Sequence, residues 1–126
     1  METNSLLWIR PILGVALALE LLAMAHAQEA RCPAYKEKAP LSGVVLYDGP
    51  PEQKADLMPD ISKGSGDHVY ASWKVGYIFD KGRRLYLVCR FGNKIDDTST
   101  VEVDARVQSC VFRSHRGGKP AELICK

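Results

Sequence analysis

The chain has 126 residues and a formal net charge of +2, which limits it to one domain and excludes the strongly basic footprint of a nucleic-acid binder. Removing the first 27 residues takes away Arg10, Glu2 and Glu20, so the remaining 99 residues carry about +3, and that charge is dispersed. A domain of this size buries only about 60 to 68% of its unfolded surface, so covalent staples matter to it.

Residues 1–27 read as an export signal. Arg10 precedes an uncharged apolar run, Ile12 to Leu19, which Glu20 interrupts and Leu21 to Ala25 resumes. Ala25-His26-Ala27 fits the small-x-small rule of signal peptidase, with Gln28 as the new first residue. A membrane-anchoring helix is the alternative, but neither apolar piece reaches the roughly 18 to 20 residues of a span. Charged residues just before Cys32 do not suit a lipoprotein signal. A periplasmic or secreted location follows.

Gln28 to Leu41 is polar, holds Pro33 and Pro40, and reads as an extended arm pinned by Cys32. Ser42 to Tyr47 predicts a short strand, ended by the turn residues Asp48-Gly49 and by Pro50-Pro51, which forbid ladder pairing. Pro51 and Glu52 suit a helix start, so one or two helical turns are expected before Pro59. Asp60 to Asp67 has the composition of a flexible loop. His68 to Val75 alternates as a strand, with Val69, Ala71 and Trp73 on one face. Gly76 to Gly92 reads as a central β-hairpin: Tyr77-Ile78-Phe79, a turn at Asp80-Lys81-Gly82, and a return through Leu85 to Cys89. Further strands are expected at Ser99–Val103, Val107–Ser114 and Ala121–Cys125. The fold class is mainly β: a small antiparallel sheet or barrel of about six strands with one short helix, forming a single domain over residues 28–126.

All four cysteines follow the export signal: Cys32, Cys89, Cys110 and Cys125. An even count behind such a signal predicts two disulfides, and the wide spacings do not suit a metal site. If Gly117-Gly118 form a two-residue turn, opposed residues sum to 235, which sets Cys110 opposite Cys125 and Phe112 opposite Leu123. Cys32 is then left to Cys89. A one-residue bulge near Gly117 would undo this register, and Cys89–Cys110 with Cys32–Cys125 is the alternative.

No hydrolase, phosphate-loop or dinucleotide fingerprint is present. His68 and His115 have no nucleophile pattern around them, and Asp96-Asp97 lack the spaced oxygens of a calcium loop. The most distinctive loop is Asp48-Gly49-Pro50-Pro51 beside Tyr47. With Trp73 it forms the candidate binding loop, against the plainer reading of a turn, a helix start and a core tryptophan. Arg83, Arg84, Arg90, Arg113, Arg116 and Lys119 cluster near two expected hairpin tips, where they face an anionic partner or simply protect sheet edges.

The blocks Asp48-Gly49-Pro50-Pro51, Leu87-Val88-Cys89-Arg90-Phe91 and Ser109-Cys110 resemble a family of small exported proteobacterial proteins with no assigned reaction. The resemblance implies an envelope or periplasmic location and assigns no reaction. Size, cysteines and β content also invite a fold-level comparison with periplasmic lysozyme inhibitors, without their binding motifs. The expected function is that of a non-enzymatic binding module for a protein or envelope component, without cofactor or metal. The alternatives are an inhibitor of a wall-degrading hydrolase, a structural envelope protein, and a small hydrolase using His68 or His115.

Overall fold

The computed structural model describes residues 29–126, so the export signal expected at residues 1–27 lies outside the described residues. The strands are β1 (Ala30–Arg31), β2 (Tyr35–Lys36), β3 (Ala39–Asp48), β4 (Ile61–Ser65), β5 (His68–Lys74), β6 (Leu85–Phe91), β7 (Thr98–Glu102), β8 (Ser109–Arg113) and β9 (Glu122–Cys125). One short helix, α1 (Gly76–Asp80), joins β5 to β6. Two antiparallel sheets result, ordered β1-β9-β8-β5-β4 and β2-β3-β6-β7, and neither closes into a barrel.

Alternation fills the space between the sheets. Leu85, Leu87, Cys89 and Phe91 of β6 point inward and are fully buried, as is Leu46 opposite Leu87. Ala71 and Trp73 of β5, Cys110 and Phe112 of β8, and Leu123 and Cys125 of β9 meet them from the other sheet. Each fully buried leucine here contributes about 1.5–3 kcal/mol by its removal from water. Leu41 and Val44 are three residues apart, yet both pack on the core. The extra residue Ser42, at the register shift between Leu41 and Gly43, allows it. The arm runs from β1 in the five-stranded sheet to β2 in the four-stranded sheet. Between them Cys32 bonds Cys89, with Cα atoms 5.8 Å apart. Cys110 bonds Cys125 across β8 and β9.

The central hairpin expected over Gly76 to Gly92 is not formed. Its second arm is β6, but Gly76–Asp80 is helical. Val75 and Ile78 are buried while Tyr77 is exposed, which is helical spacing rather than alternation. The expected hairpin turn is the helix stop. Arg83 N–H bonds the Ile78 carbonyl (3.0 Å) and Gly82 N–H the Phe79 carbonyl (3.0 Å), the Schellman pattern, with Gly82 at φ 72°.

The loop expected at Asp60 to Asp67 is also revised. Ile61–Ser65 is an edge strand, joined to β5 through a two-residue Gly66-Asp67 turn. The helical turns expected after Pro51 shrink to a 3₁₀ turn, Pro51–Gln53, closed by Lys54 at φ 60°.

The β8–β9 ladder has the expected register, but its hydrogen-bond phase is the opposite of the one a two-residue Gly117-Gly118 turn requires, in which Arg116 and Lys119 form the first bonded pair. Ser109 and Lys126 exchange both backbone bonds, so the bonded pairs fall on odd residues of β8. Continued, that phase would require an N–H from Pro120 opposite His115. The ladder therefore stops at Arg113 and Glu122, and residues 114–121 form a longer loop than a Gly-Gly turn.

Candidate binding surfaces

The loop after β3 is tied at both ends. Asp48 N–H bonds the Ala55 carbonyl (3.0 Å), and Gly49 N–H bonds the Arg84 carbonyl (2.8 Å). Asp48 Oδ2 pairs with Arg83 Nη2 at 2.8 Å, while its Oδ1 is buried without a hydrogen-bond partner. Residues beyond the 3₁₀ turn run back along β3: Asp56 bridges to Tyr47, and Leu57 N–H bonds the Leu46 carbonyl (2.8 Å). Trp73 donates from Nε1 to the Leu57 carbonyl at 3.2 Å and is only 6% exposed. The structure thus separates the candidate loop residues. Tyr47, Asp48, Pro50 and Pro51 are partly exposed and Gly49 is buried, whereas Trp73 lies in the core and braces the segment behind them.

Tyr47 belongs to the outer face of the four-stranded sheet. Register places Val45 beside Val88 and Thr100, and Tyr47 beside Tyr86 and Glu102. Tyr86 Oη donates to Glu102 Oε1 at 3.0 Å, and this bond holds the phenol above its ordinary pKa. Arg84 pairs with the same carboxylate. Lys36 pairs with Asp97 at 3.1 Å, and Arg90 lies over Gly43.

The outer face of the five-stranded sheet was not apparent from the sequence. Register sets out three rows across it: Lys74, Ser109 and Lys126; Ile61, Ser72, Val111, Ile124 and Arg31; Lys63, Tyr70, Arg113 and Glu122. A shallow depression of about 280 Å³ lies among Ser109, Val111, Arg113, Glu122, Ile124 and Lys126. Arg113 stacks on the Tyr70 ring, 5.2 Å from its centroid. Alternation in β8 and β9 marks Val111 and Ile124 as outward, but only pairing across four strands joins them to Ile61.

The basic residues do not form one patch. Arg83 and Arg84 lie at the end of the sandwich where β3 finishes. Arg116 and Lys119 lie on the 114–121 loop at the other end, where Ala121 N–H bonds the Leu41 carbonyl (2.9 Å). His68 is exposed at the start of β5, and His115 Nε2 is 3.8 Å from Glu122 Oε2. Among the described residues neither imidazole meets a hydroxyl, and no group of side chains is arranged to hold a metal. No described helix is long and apolar enough to cross a membrane.

The domain is a small, doubly stapled β-sandwich whose distinctive features are its two decorated sheet faces. The match that names its kind covers residues 36–126: the chain belongs to the family of type VI secretion system Tli immunity proteins. No curated protein and no solved structure matches it.

Proposed function

We propose that this chain is a non-enzymatic inhibitor that binds a type VI secretion effector in the periplasm and blocks it. The observation that carries the reading is the family match, which spans nearly the whole described domain. Two disulfides and the apolar leader of residues 1–27 support an oxidising, exported location. An immunity protein must meet its toxin where the toxin acts. In the periplasm the reachable targets are the wall and the membrane lipids, so the inhibited effector is a hydrolase of one of these. A wall-degrading enzyme is the version that joins this reading to the hydrolase-inhibitor alternative reached from the sequence.

The test is protection. Each type VI effector encoded in the same genome is directed to the periplasm of a susceptible host, with and without this chain. Survival restored against one effector, and a purified complex of the two with loss of effector activity at equal stoichiometry, are the expected results. Failure to protect against any of them, with no complex formed, would falsify the reading.

A further inference from the structure

We propose that the effector docks on the outer face of the five-stranded sheet, presenting to it an apolar ridge bordered by carboxylates. This rests on the inhibitor reading above and adds the surface and the chemistry of the partner.

The two sheet faces differ in how their charges are satisfied. On and around the four-stranded sheet, Lys36, Arg83 and Arg84 each have a carboxylate partner within the molecule, and Arg90, lying over Gly43, is left without an ion pair among the described residues. On the five-stranded face Lys63, Lys74, Arg113 and Lys126 have no ion pair among the described residues. The carboxylates near them are few, and only Glu122, opposite Arg113 in register, belongs to the same rows. Glu122 faces His115, Glu29 pairs with Arg31 at 2.9 Å, and Asp60 Oδ2 accepts the Lys74 backbone N–H at 2.6 Å. Between the two cationic rows runs a row that carries Ile61, Val111 and Ile124, with Ser72 between Ile61 and Val111 and Arg31 at its far end, and Ile61 is 46% exposed. An apolar centre inside a polar rim is the anatomy of a protein interface. With strands about 4.8 Å apart, five of them span about 19 Å, enough for the desolvated centre of a standard-sized interface.

The chemistry selects the occupant. Unpaired cations raise the association rate of an acidic surface and are relieved by its carboxylates. A purely anionic polymer has nothing to cover Ile61, Val111 and Ile124, whereas a folded acidic protein has both parts. The edge strand β4, exposed at all five residues, extends the same surface outward.

The experiment uses the full chain and the effector that the protection assay identifies. Association is followed by biolayer interferometry at about 50 and about 300 mM salt. Lys63→Glu with Lys74→Glu is expected to slow association about tenfold at the lower salt and far less at the higher. Val111→Asp is expected to weaken binding about 30-fold, as for a residue at the centre of an interface. Lys94→Glu, a charge reversal on the loop between β6 and β7, is the control and leaves binding unchanged. Both lysines are exposed, so their variants fold and decide the matter should Val111→Asp not. Wild-type binding that survives all of these changes but is lost in Val88→Asp, on the other sheet, overturns the surface and leaves the inhibitor reading standing. A wild-type chain that binds no effector sinks both. Wild-type protein that ignores the effector but sediments with phosphatidylglycerol-containing vesicles through Lys63 and Lys74 also overturns the proposal.

Discussion

Removing the Cys32–Cys89 disulfide as a Cys32→Ala, Cys89→Ala pair should cost more than removing Cys110–Cys125 in the same way. The two cross-links enclose separate stretches of chain, with sequence separations of 57 and 15. In the chain-entropy treatment, loops of these lengths restrict the unfolded chain by about 4 and about 3 kcal/mol. The folded state sharpens the contrast. Cys110 and Cys125 sit in a hairpin already paired from Cys110 to Arg113, whereas the arm carrying Cys32 is held by two ladders of two residue pairs each. Alanine is the right replacement because Cys89 is fully buried and Cys32 nearly so, and a serine hydroxyl there would need a partner. Trp73, buried between the sheets, is the only tryptophan among the described residues and reports unfolding by fluorescence. With a slope of about 1.5 kcal/mol per M, the urea midpoint of the first variant should fall by about 3 M, and that of the second by about 2 M. Because the loops do not overlap, the two losses should add. A larger loss from Cys110–Cys125, or a loss below about 1 kcal/mol from Cys32–Cys89, would refute the reasoning.

Three further outcomes follow from local geometry. Trp73→Phe should cost about 1–2 kcal/mol by circular dichroism melts, since the Leu57 carbonyl loses its donor, and hydrogen exchange should quicken at Leu57; unchanged exchange there contradicts the bracing role. Gly82→Ala should cost about 1 kcal/mol in urea unfolding, because the helix stop needs φ 72°; a neutral result means the stop can reform without it. Tyr86 should titrate above the ordinary tyrosine value when followed at 295 nm, because its proton is held by Glu102. Its raised pKa means the bond stabilises the fold fully below the ordinary value of 10.0 and is lost as pH rises through the folded value. Glu102→Gln should bring it down, and a late phase that persists in Tyr86→Phe assigns it elsewhere.

What the sequence displays and what it conceals divide along physical lines. Strands with one face on the core announce themselves: His68 to Lys74 and Leu85 to Phe91 alternate clearly because alternate residues are buried. The register of the last hairpin, reached by supposing a Gly117-Gly118 turn that sets two cysteines and two apolar residues opposite each other, is the one found, although the loop that closes it is longer. Gly76–Asp80 was misleading because five residues are too few to separate helical from strand periodicity, and aromatic residues favour strands on propensity. Ile61–Ser65 was hidden because every residue of it is exposed, so it carries no burial pattern. The Tyr47 to Pro51 loop was visible through its turn residues, but the position of Trp73 beneath it depends on packing that spacing alone does not specify. The five-stranded outer face is a product of register across several strands, each of which looks ordinary by itself.

The pairing of β1 with β9 makes the first described strand wait for the last. In a chain delivered N-terminus first, Ala30 and Arg31 have no partner until Glu122 to Cys125 follow. The disulfides face no such conflict. If the chain enters the oxidising compartment N-terminus first, Cys32 meets Cys89 before Cys110 arrives and Cys110 then meets Cys125, so joining each cysteine to the next one to enter yields the native set. The order of entry therefore leads to these cross-links without reshuffling, even though the five-stranded sheet that holds Cys110 and Cys125 can close only at the end.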